Sequence, residues 1–194
     1  MTPGTAEARG QWFTLANAIT AVRLPLAPLC AWSILDGSVV TAFVCLGLAV
    51  ASDFFDGRVA RSRGEMSRLG GLLDHTSDAL FVSAGLAALA SLGIVPWPLA
   101  PLVLLAFAQY ALDSRVLAGM SLRTSQLGRI NGIAYFALLG TPLVRDFLGL
   151  GWPGDGLLSL LGWLLVLSTL LSMGDRAQTW LFSRRVRDSH AARK

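Results

Sequence analysis

The sequence predicts an all-α integral membrane protein, with one domain of residues 1–194 that crosses the bilayer six times. Hydrophobic residues make up 54% of the chain and charged residues only 14%, whereas a soluble domain carries about 25% charged residues. Six apolar segments can be counted, each near the ~20 residues that span a bilayer. These two observations favour a polytopic membrane protein over a soluble domain.

The six predicted spans follow one another with short connections. They cover residues 16–35, 39–61, 70–92, 98–117, 129–148 and 157–173. Gly and Pro mark the turns after the first, third and fifth spans, at residues 36–38, 93–98 and 149–156, because these residues favour turns and interrupt helices. The connections after the second and fourth spans are instead polar and basic.

The distribution of positive charge predicts the orientation. Fourteen of the sixteen Lys and Arg residues lie in the N-terminal arm, in the connections after spans two and four or the span ends beside them, or in the tail; Arg23 and Arg145 are the exceptions. Cytoplasmic loops carry the excess of Lys and Arg. We therefore expect a protein of the cell inner or plasma membrane, with both termini in the cytoplasm.

The two ends of the chain are predicted to lie at the cytoplasmic surface. The N-terminal arm is residues 1–15, and a stretch of residues 5–16, which runs to the start of span one, is either a short interfacial helix or an unstructured segment. The basic tail of residues 174–194 is expected to touch anionic lipid. The net charge of +4 is explained by this topology, so nucleic-acid binding is not predicted.

Four aspartates form one ordered pattern at the cytoplasmic ends of spans two and three. It reads Asp53-x-x-Asp56-Gly57-x-x-Ala60-Arg61, eight further residues, and then Gly70-x-x-x-Asp74-x-x-x-Asp78. The first two aspartates are three residues apart and the last two are four apart, so each pair shares a helix face. Because spans two and three are antiparallel, the four carboxylates are predicted to converge.

Converging carboxylates cannot all stay ionised without a counter-charge. Hard oxygen ligands suit Mg²⁺, Mn²⁺ or Ca²⁺, and two divalent ions would neutralise four aspartates. Such a two-metal site is a common arrangement for displacement at phosphorus. Gly57 and Ala60 leave room for a bulky ligand such as a nucleotide, and Arg61 can hold a phosphate. The alternative is a purely structural cluster of ion pairs, formed with Arg58, Arg61, Arg63 and Arg68.

The eight fixed positions of this pattern resemble the signature of the CDP-alcohol phosphotransferases without a departure. The segment of residues 17–23, with Asn17, Thr20 and Arg23, resembles the opening of that family's first helix. A Ser-x-x-Gly-Arg element, which ends at Arg129, is similar to another family feature.

The resemblance implies transfer of a substituted phosphate from a CDP-alcohol, here CDP-diacylglycerol, to a second, water-soluble alcohol, with release of CMP. It also implies six spans, a homodimer and two Mg²⁺ or Mn²⁺ ions. The ions would be held by Asp53, Asp56, Asp74 and Asp78, and Asp78 would also act as general base. The CDP group would be bound by Gly57, Ala60, Arg61 and Gly70.

Three arginines are predicted to lie beside the cytoplasmic mouth: Arg115, Arg123 and Arg129. They either form an anion pocket for a phosphorylated acceptor or only reflect the excess of Lys and Arg in cytoplasmic segments. Several fixed cations suit a dianionic phosphate better than a neutral or zwitterionic acceptor, so we favour glycerol 3-phosphate. An inositol compound, serine or another alcohol is the alternative.

Two further polar residues and a competing class of function bear on this interpretation. Arg23, within span one, either snorkels to the interface or joins the aspartate site, and the second is favoured. His75 is predicted to pack between helices or at the lipid interface. A divalent-cation transporter would also place carboxylates in a membrane, but here all of them lie at one side of the predicted bilayer.

Overall fold

The computed structural model describes residues 14–63, 68–116 and 126–191, and these residues form helices joined by short turns, with no strand among them. The helices are α1 (Leu15–Ala21), α2 (Arg23–Leu35), α3 (Val39–Arg63), α4 (Arg68–Ser91), α5 (Leu99–Val116), α6 (Gln126–Phe147) and α7 (Asp155–Ala191). The predicted all-α fold class is confirmed.

Four stretches of helix are long and apolar enough to cross a membrane, by length and composition. They are Ala18–Leu35, Val39–Val59, Gln126–Phe147 and Asp155–Gln178. The apolar part of α5, Leu99–Leu112, is shorter, and the 24-residue α4 carries two aspartates. With α1 and α2 taken together as span one, the helices match the six predicted segments to within a few residues at most ends.

The exception is the C-terminal end of α7. The sixth span was predicted to end at Met173, but α7 continues as one helix of 37 residues to Ala191, through most of the predicted basic tail. At the other end of the chain, most of the predicted interfacial segment, residues 5–16, lies outside the described residues.

The first span is broken at Val22, between α1 and α2. Pro25 explains the break, because proline has no N–H to donate to the carbonyl of Ala21 and its ring crowds that carbonyl. Proline is tolerated in the first turn of the helix that follows, and α2 begins at Arg23. The break places Thr20 and Arg23, one from each helix, beside the same neighbouring helices.

The helices pack around a core in which α2 contacts α3 and α4, and α7 contacts α5 and α6. Phe81, Leu86, Leu139 and Leu158 are fully or almost fully buried in it. Tight turns connect the helices, and Gly37 and Gly93 adopt positive φ there, a conformation that costs glycine little.

The outer face of α7 is a row of exposed leucines. Leu160, Leu164, Leu167 and Leu171 are all more than half exposed, whereas Leu158, on the opposite face, is buried. A continuous apolar surface of this kind is unusual on a soluble monomer, and lipid tails are as apolar as leucine. The pattern supports contact between α7 and the bilayer.

Gly162→Ala is expected to destabilise the protein by about 1–3 kcal/mol, the usual cost of overpacking. A Cβ at this position of α7 would collide with Cδ of Pro96, a rigid ring in the connection between α4 and α5. The midpoint of thermal unfolding in detergent measures the effect. Gly174→Ala is the matched control, because a Cβ there meets nothing within 4 Å; equal midpoints for the two variants would contradict this packing.

Candidate active site

The four aspartates lie on two adjacent helices, Asp53 and Asp56 on α3 and Asp74 and Asp78 on α4. One carboxylate oxygen from each of Asp53, Asp56 and Asp74 lies within 4.8 Å of the other two. The helical spacing of the sequence pattern therefore brings three carboxylates to one point. Asp78 joins them through a shared partner, Arg23 of α2.

Arg23 is the centre of the cluster. Its Nη1 donates to Oδ1 of Asp74 and to Oδ1 of Asp78, both at 2.6 Å. Its Nη2 donates to Oδ2 of Asp56 at 2.5 Å and lies 3.6 Å from Oδ1 of Asp53. One guanidinium thus contacts all four carboxylates. This position agrees with the prediction that Arg23 joins the aspartate site and does not snorkel to the membrane interface.

Two hydroxyl groups fix the deep end of the cluster. Thr20 Oγ1 donates to Oδ2 of Asp56 at 2.7 Å, and Arg23 Nε donates to Ser52 Oγ at 2.8 Å. The Arg23 side chain is fully buried and that of Asp56 is 7% exposed, whereas that of Asp53 is 56% exposed. The cluster is therefore anchored at Asp56 and accessible at Asp53.

The net charge of the cluster is negative, which favours binding of a further cation. One guanidinium faces four carboxylates, so three formal negative charges are not balanced within the cluster. Carboxylate oxygens are ligands that Mg²⁺ and Mn²⁺ prefer, and the oxygens of Asp53, Asp56 and Asp74 are close enough to share one ion. The residues present thus fit a divalent metal.

The residues predicted to bind CDP lie next to the cluster in the chain, in the C-terminal part of α3 and the first turn of α4. A Cβ on Gly57 would lie 3.4 Å from Nη1 of Arg61, so the Arg61 side chain folds across the surface that glycine leaves open. Gly70 is partly exposed in the first turn of α4. Ala60 lies in α3 between them in sequence, and its side chain is outside the described part of the structure.

A cavity of about 580 Å³ opens beside the aspartates, between α4, α5, α6 and α7. Its size falls within the usual range for small-molecule sites. Asp53 and Asp78 lie on its wall, whereas Gly57 and Arg61 are not among its described lining residues. The described lining of the cavity therefore includes Asp53 of α3 but does not extend to Gly57.

Two arginines lie on the cavity wall together with Asp78: Arg129 of α6 and Arg176 of α7. Arg129 was proposed from the sequence; Arg176 was not. The Arg176 guanidinium carbon lies 5.4 Å from the centre of the Tyr110 ring, within the range of a cation–π contact. Its Nη2 would be 2.9 Å from a Cβ on Gly128, so a residue without a side chain at Gly128 lets the guanidinium approach α6.

The other two arginines proposed for the acceptor cannot be placed against this cavity. Arg123 lies outside the described residues. Arg115 lies in the last turn of α5, and its side chain is outside the described part.

His75 was predicted to pack between helices or at the lipid interface. It is half exposed, its Nδ1 lies 3.7 Å from Oδ2 of Asp74, and its ring is 5.6 Å from that of Tyr110. It also lines the cavity. His75 thus belongs to the surroundings of the site, a position that its sequence neighbours did not reveal.

The face of α7 that lines the cavity could have been predicted from a pattern of polar residues in the sequence. Thr169, Ser172 and Arg176 recur at helical spacing and all three line the cavity. Thr169 Oγ1 is 2.5 Å from Tyr135 Oη. This polar stripe was missed because the sixth span was ended at Met173, before its last member.

Residues 13–174 of the chain match the family described as CDP-alcohol phosphatidyltransferase. The match covers most of the chain and includes all four aspartates, Arg23 and Arg129. The chain belongs to the CDP-alcohol phosphatidyltransferase family.

Similar proteins come from bacteria and plants. A cardiolipin synthase (CMP-forming) of Streptomyces coelicolor is 30% identical over 160 residues, which is 77% of this chain and 73% of the relative. A probable phosphatidylglycerophosphate synthase of Mycobacterium tuberculosis is 29% identical over 107 residues, 52% of this chain and 51% of the relative. A chloroplastic CDP-diacylglycerol–glycerol-3-phosphate 3-phosphatidyltransferase of Oryza sativa is 32% identical over 74 residues, 38% of this chain and 22% of the relative.

Family membership decides between the two classes of function that the aspartates left open. The protein is an integral membrane enzyme of phospholipid synthesis, a CDP-alcohol phosphatidyltransferase, and the reading as a divalent-cation transporter is set aside. The family implies a CDP-diacylglycerol donor and an alcohol acceptor, and it uses divalent metal ions, for which the aspartates of this chain offer a suitable cluster.

Proposed function

We propose that this enzyme transfers the phosphatidyl group of CDP-diacylglycerol to glycerol 3-phosphate and releases CMP, with Mg²⁺ or Mn²⁺ held by the aspartate cluster. One observation carries the proposal: Asp78, Arg129 and Arg176 line the same cavity. A carboxylate that can take a proton therefore shares a wall with two cations that can hold an acceptor phosphate. The bilayer retains the acyl chains of the donor.

The donor and the acceptor approach the aspartates from two sides in this proposal. The pyrophosphate of the donor lies over Gly57, where Arg61 contacts it, and the acceptor enters the cavity between α4 and α7. Asp53 lies on the cavity wall and also one helical turn before Gly57. The reacting phosphorus would then lie between the two sides, near Asp53 and Asp78.

The reaction forms one P–O bond and breaks another. The acceptor hydroxyl oxygen attacks the phosphorus that carries diacylglycerol, and the bond from that phosphorus to the CMP oxygen breaks with its electron pair on CMP. Asp78 takes the hydroxyl proton as general base. A divalent ion, when bound, supplies positive charge that stabilises the pyrophosphate and the leaving CMP.

The acceptor is inferred from the charge of the cavity. Hydrogen bonds to charged groups contribute about 1.5–3 kcal/mol each, and arginine suits bidentate binding of phosphate. Two arginines in one cavity therefore favour a dianionic phosphate monoester over free inositol or serine, which carry no phosphate. The names of the mycobacterial and rice relatives, phosphatidylglycerophosphate synthase and glycerol-3-phosphate phosphatidyltransferase, support this choice.

A second acceptor, phosphatidylglycerol, is favoured by a different feature of the same cavity. Val82, Val103, Phe107 and Phe136 give the wall an extensive apolar part, which would suit a lipid acceptor. Transfer to phosphatidylglycerol would yield cardiolipin, as in the name of the Streptomyces relative. Both acceptors present a glycerol hydroxyl and a phosphate.

The products separate the two acceptors. Purified protein is incubated with CDP-diacylglycerol, Mn²⁺ and each of four acceptors: glycerol 3-phosphate, phosphatidylglycerol, inositol 1-phosphate or serine. The lipid product is then identified by mass. Phosphatidylglycerol phosphate is expected, cardiolipin would support the second acceptor, and a product formed only with serine would contradict the phosphate-binding pocket.

Arg129→Ala and Arg176→Ala are each expected to raise the KM for glycerol 3-phosphate by about 10–100-fold, because each removes a charge-assisted hydrogen bond to the phosphate. The KM for CDP-diacylglycerol should change little. Arg145→Ala is the control, since Arg145 contacts Asp146 and Asp155 and does not line the cavity. If neither cavity variant changes the acceptor KM, these arginines do not bind the acceptor phosphate and only reflect the charge bias of cytoplasmic segments.

Orientation and assembly complete the proposal. The excess of Lys and Arg in the predicted cytoplasmic segments supports an active site and both termini on the cytoplasmic side, where glycerol 3-phosphate and CMP are soluble. A homodimer, which resemblance to the family implies, remains a prediction to be tested by the mass of the protein in detergent.

A further inference from the structure

Arg23 lies outside the eight-position aspartate signature, yet it contacts all four aspartates. All three of its guanidinium nitrogens are engaged: Nε with Ser52, Nη1 with Asp74 and Asp78, and Nη2 with Asp56. The side chain is fully buried. A buried charge is tolerated when it is paired and hydrogen-bonded, and here the partners come from both helices that carry the signature.

We propose that Arg23 is a positioning residue that acts as the built-in counter-cation of the aspartate cluster. It holds the four carboxylates together before a divalent ion binds, and its positive charge lowers their affinity for that ion. The inference rests on the proposed metal site, but it does not depend on which acceptor the enzyme uses.

The charges explain why such a residue is needed. Without Arg23, four carboxylates would face one another with no cation among them, and like charges this close strongly disfavour ionisation. The ends of α3 and α4 would then separate or take up protons. With Arg23 in place, α2, α3 and α4 are joined through one side chain, so we expect the site to assemble before a metal ion binds.

The same charge acts against a bound metal ion. A guanidinium and a divalent cation on shared carboxylates repel each other, and solvent screens such repulsion only weakly in a buried site. Removing the charge of Arg23 should therefore make divalent ions bind more tightly. It should also make the fold depend on them.

The local structure fixes Arg23 in this role. Thr20 lies three residues before it, across the break at Val22, and donates to the same Asp56 oxygen that Arg23 Nη2 contacts. Ser52 accepts from Nε and donates to the carbonyl of Ala49 in its own helix. The guanidinium is thus held by Ser52 of α3 as well as by the carboxylates, and Thr20 of α1 holds one of those carboxylates.

Thermal unfolding of Arg23→Gln in detergent, with Mn²⁺ or with a chelator, tests the proposal. Wild type is expected to lose little stability in chelator, whereas the variant should be stable with Mn²⁺ and lose most of that stability without it. Free Mn²⁺, measured by electron paramagnetic resonance during titration, should give the variant a half-saturation concentration at least about tenfold lower than that of wild type. Arg23→Lys, which keeps the charge, should restore much of the resistance to chelator.

A role in packing alone makes a different prediction. It would lower the unfolding midpoint equally with and without Mn²⁺, and this outcome would overturn the proposal, as would weaker Mn²⁺ binding by Arg23→Gln. The control is Arg145→Gln, which removes ion pairs with Asp146 and Asp155 at a site away from the cluster. Its unfolding midpoint should fall by the same amount with and without Mn²⁺.

A double variant keeps the test decisive if Arg23→Gln does not fold in either condition. Arg23→Gln combined with Asp56→Asn leaves three facing carboxylates where Arg23→Gln alone leaves four, so their mutual repulsion is reduced. A double variant that recovers folding in Mn²⁺ supports the proposal, and one that folds no better than Arg23→Gln overturns it. Transfer of phosphatidyl groups is not the readout, so a wrong assignment of the reaction would leave these results unchanged.

Discussion

Asp78→Asn is expected to abolish phosphatidyl transfer while leaving the binding of CDP-diacylglycerol largely intact. Asp78 lies on the wall of the cavity that holds the proposed acceptor, and an amide cannot accept the proton of the acceptor hydroxyl. Loss of a general base typically costs about 10²–10⁴-fold in rate. The variant keeps the shape of the side chain and an oxygen to accept the hydrogen bond from Arg23, so the site should stay assembled.

The measurements are kcat from CMP release and the Kd of the donor in the absence of acceptor. Asp146→Asn is the matched control, because Asp146 is paired with Arg145 and does not line the cavity; its kcat should equal that of wild type. Normal turnover in Asp78→Asn would rule out Asp78 as the base.

Asp56→Asn and Asp74→Asn are expected to raise the Mg²⁺ or Mn²⁺ concentration needed for half-maximal activity, and to weaken donor binding. Changing a residue that only supports a metal ligand costs about 10–100-fold in affinity, so loss of a direct ligand should cost at least about tenfold. Both residues contribute oxygens to the three-carboxylate cluster, and the donor pyrophosphate is expected to bind through the ion.

Asp56 offers the sharper test of the two. It is the least exposed of the aspartates and accepts from both Thr20 and Arg23, so Asp56→Asn also measures how far these contacts depend on charge. Direct titration of Mn²⁺ separates lost affinity from lost activity. If the metal titrations of both variants match wild type, the assignment of Asp56 and Asp74 as ligands is wrong.

Much of the site could be predicted because its geometry is local. Asp53 and Asp56 share a face by their spacing on one helix, and so do Asp74 and Asp78. A short connection between α3 and α4 then makes them neighbours. The fold class followed in the same way, from apolar runs of the length that a bilayer requires.

The partner of the aspartates was harder to predict because it is distant in the chain. The sequence offered four arginines close to the aspartates in the chain, Arg58, Arg61, Arg63 and Arg68, as neutralising partners. The structure puts Arg23 among them, 33 residues before Asp56. Only the packing of α2 against α3 and α4 decides this, and no helical spacing encodes it. From the sequence, Arg23 could be suggested only as a charge inside an apolar span and as part of the segment that resembles the family's first helix.

The far wall of the cavity was missed for a related reason. Arg176 lies beyond the apolar run of span six, where hydropathy no longer indicates whether a helix continues. Its neighbours in space, Tyr110 and Gly128, belong to two other helices. The break at Val22, in contrast, was present in the sequence as Pro25 and could have been read from it.

Simultaneous measurement of CMP and lipid product tests the central claim, metal-dependent phosphatidyl transfer at the aspartate cluster, most directly. Purified protein in detergent is given CDP-diacylglycerol and glycerol 3-phosphate, first with chelator and then with excess Mn²⁺. We expect no product in chelator, and equal amounts of CMP and phosphatidylglycerol phosphate once Mn²⁺ is added. Product formation at the same rate in chelator, or Mn²⁺ uptake into proteoliposomes with no CMP formed, would contradict it.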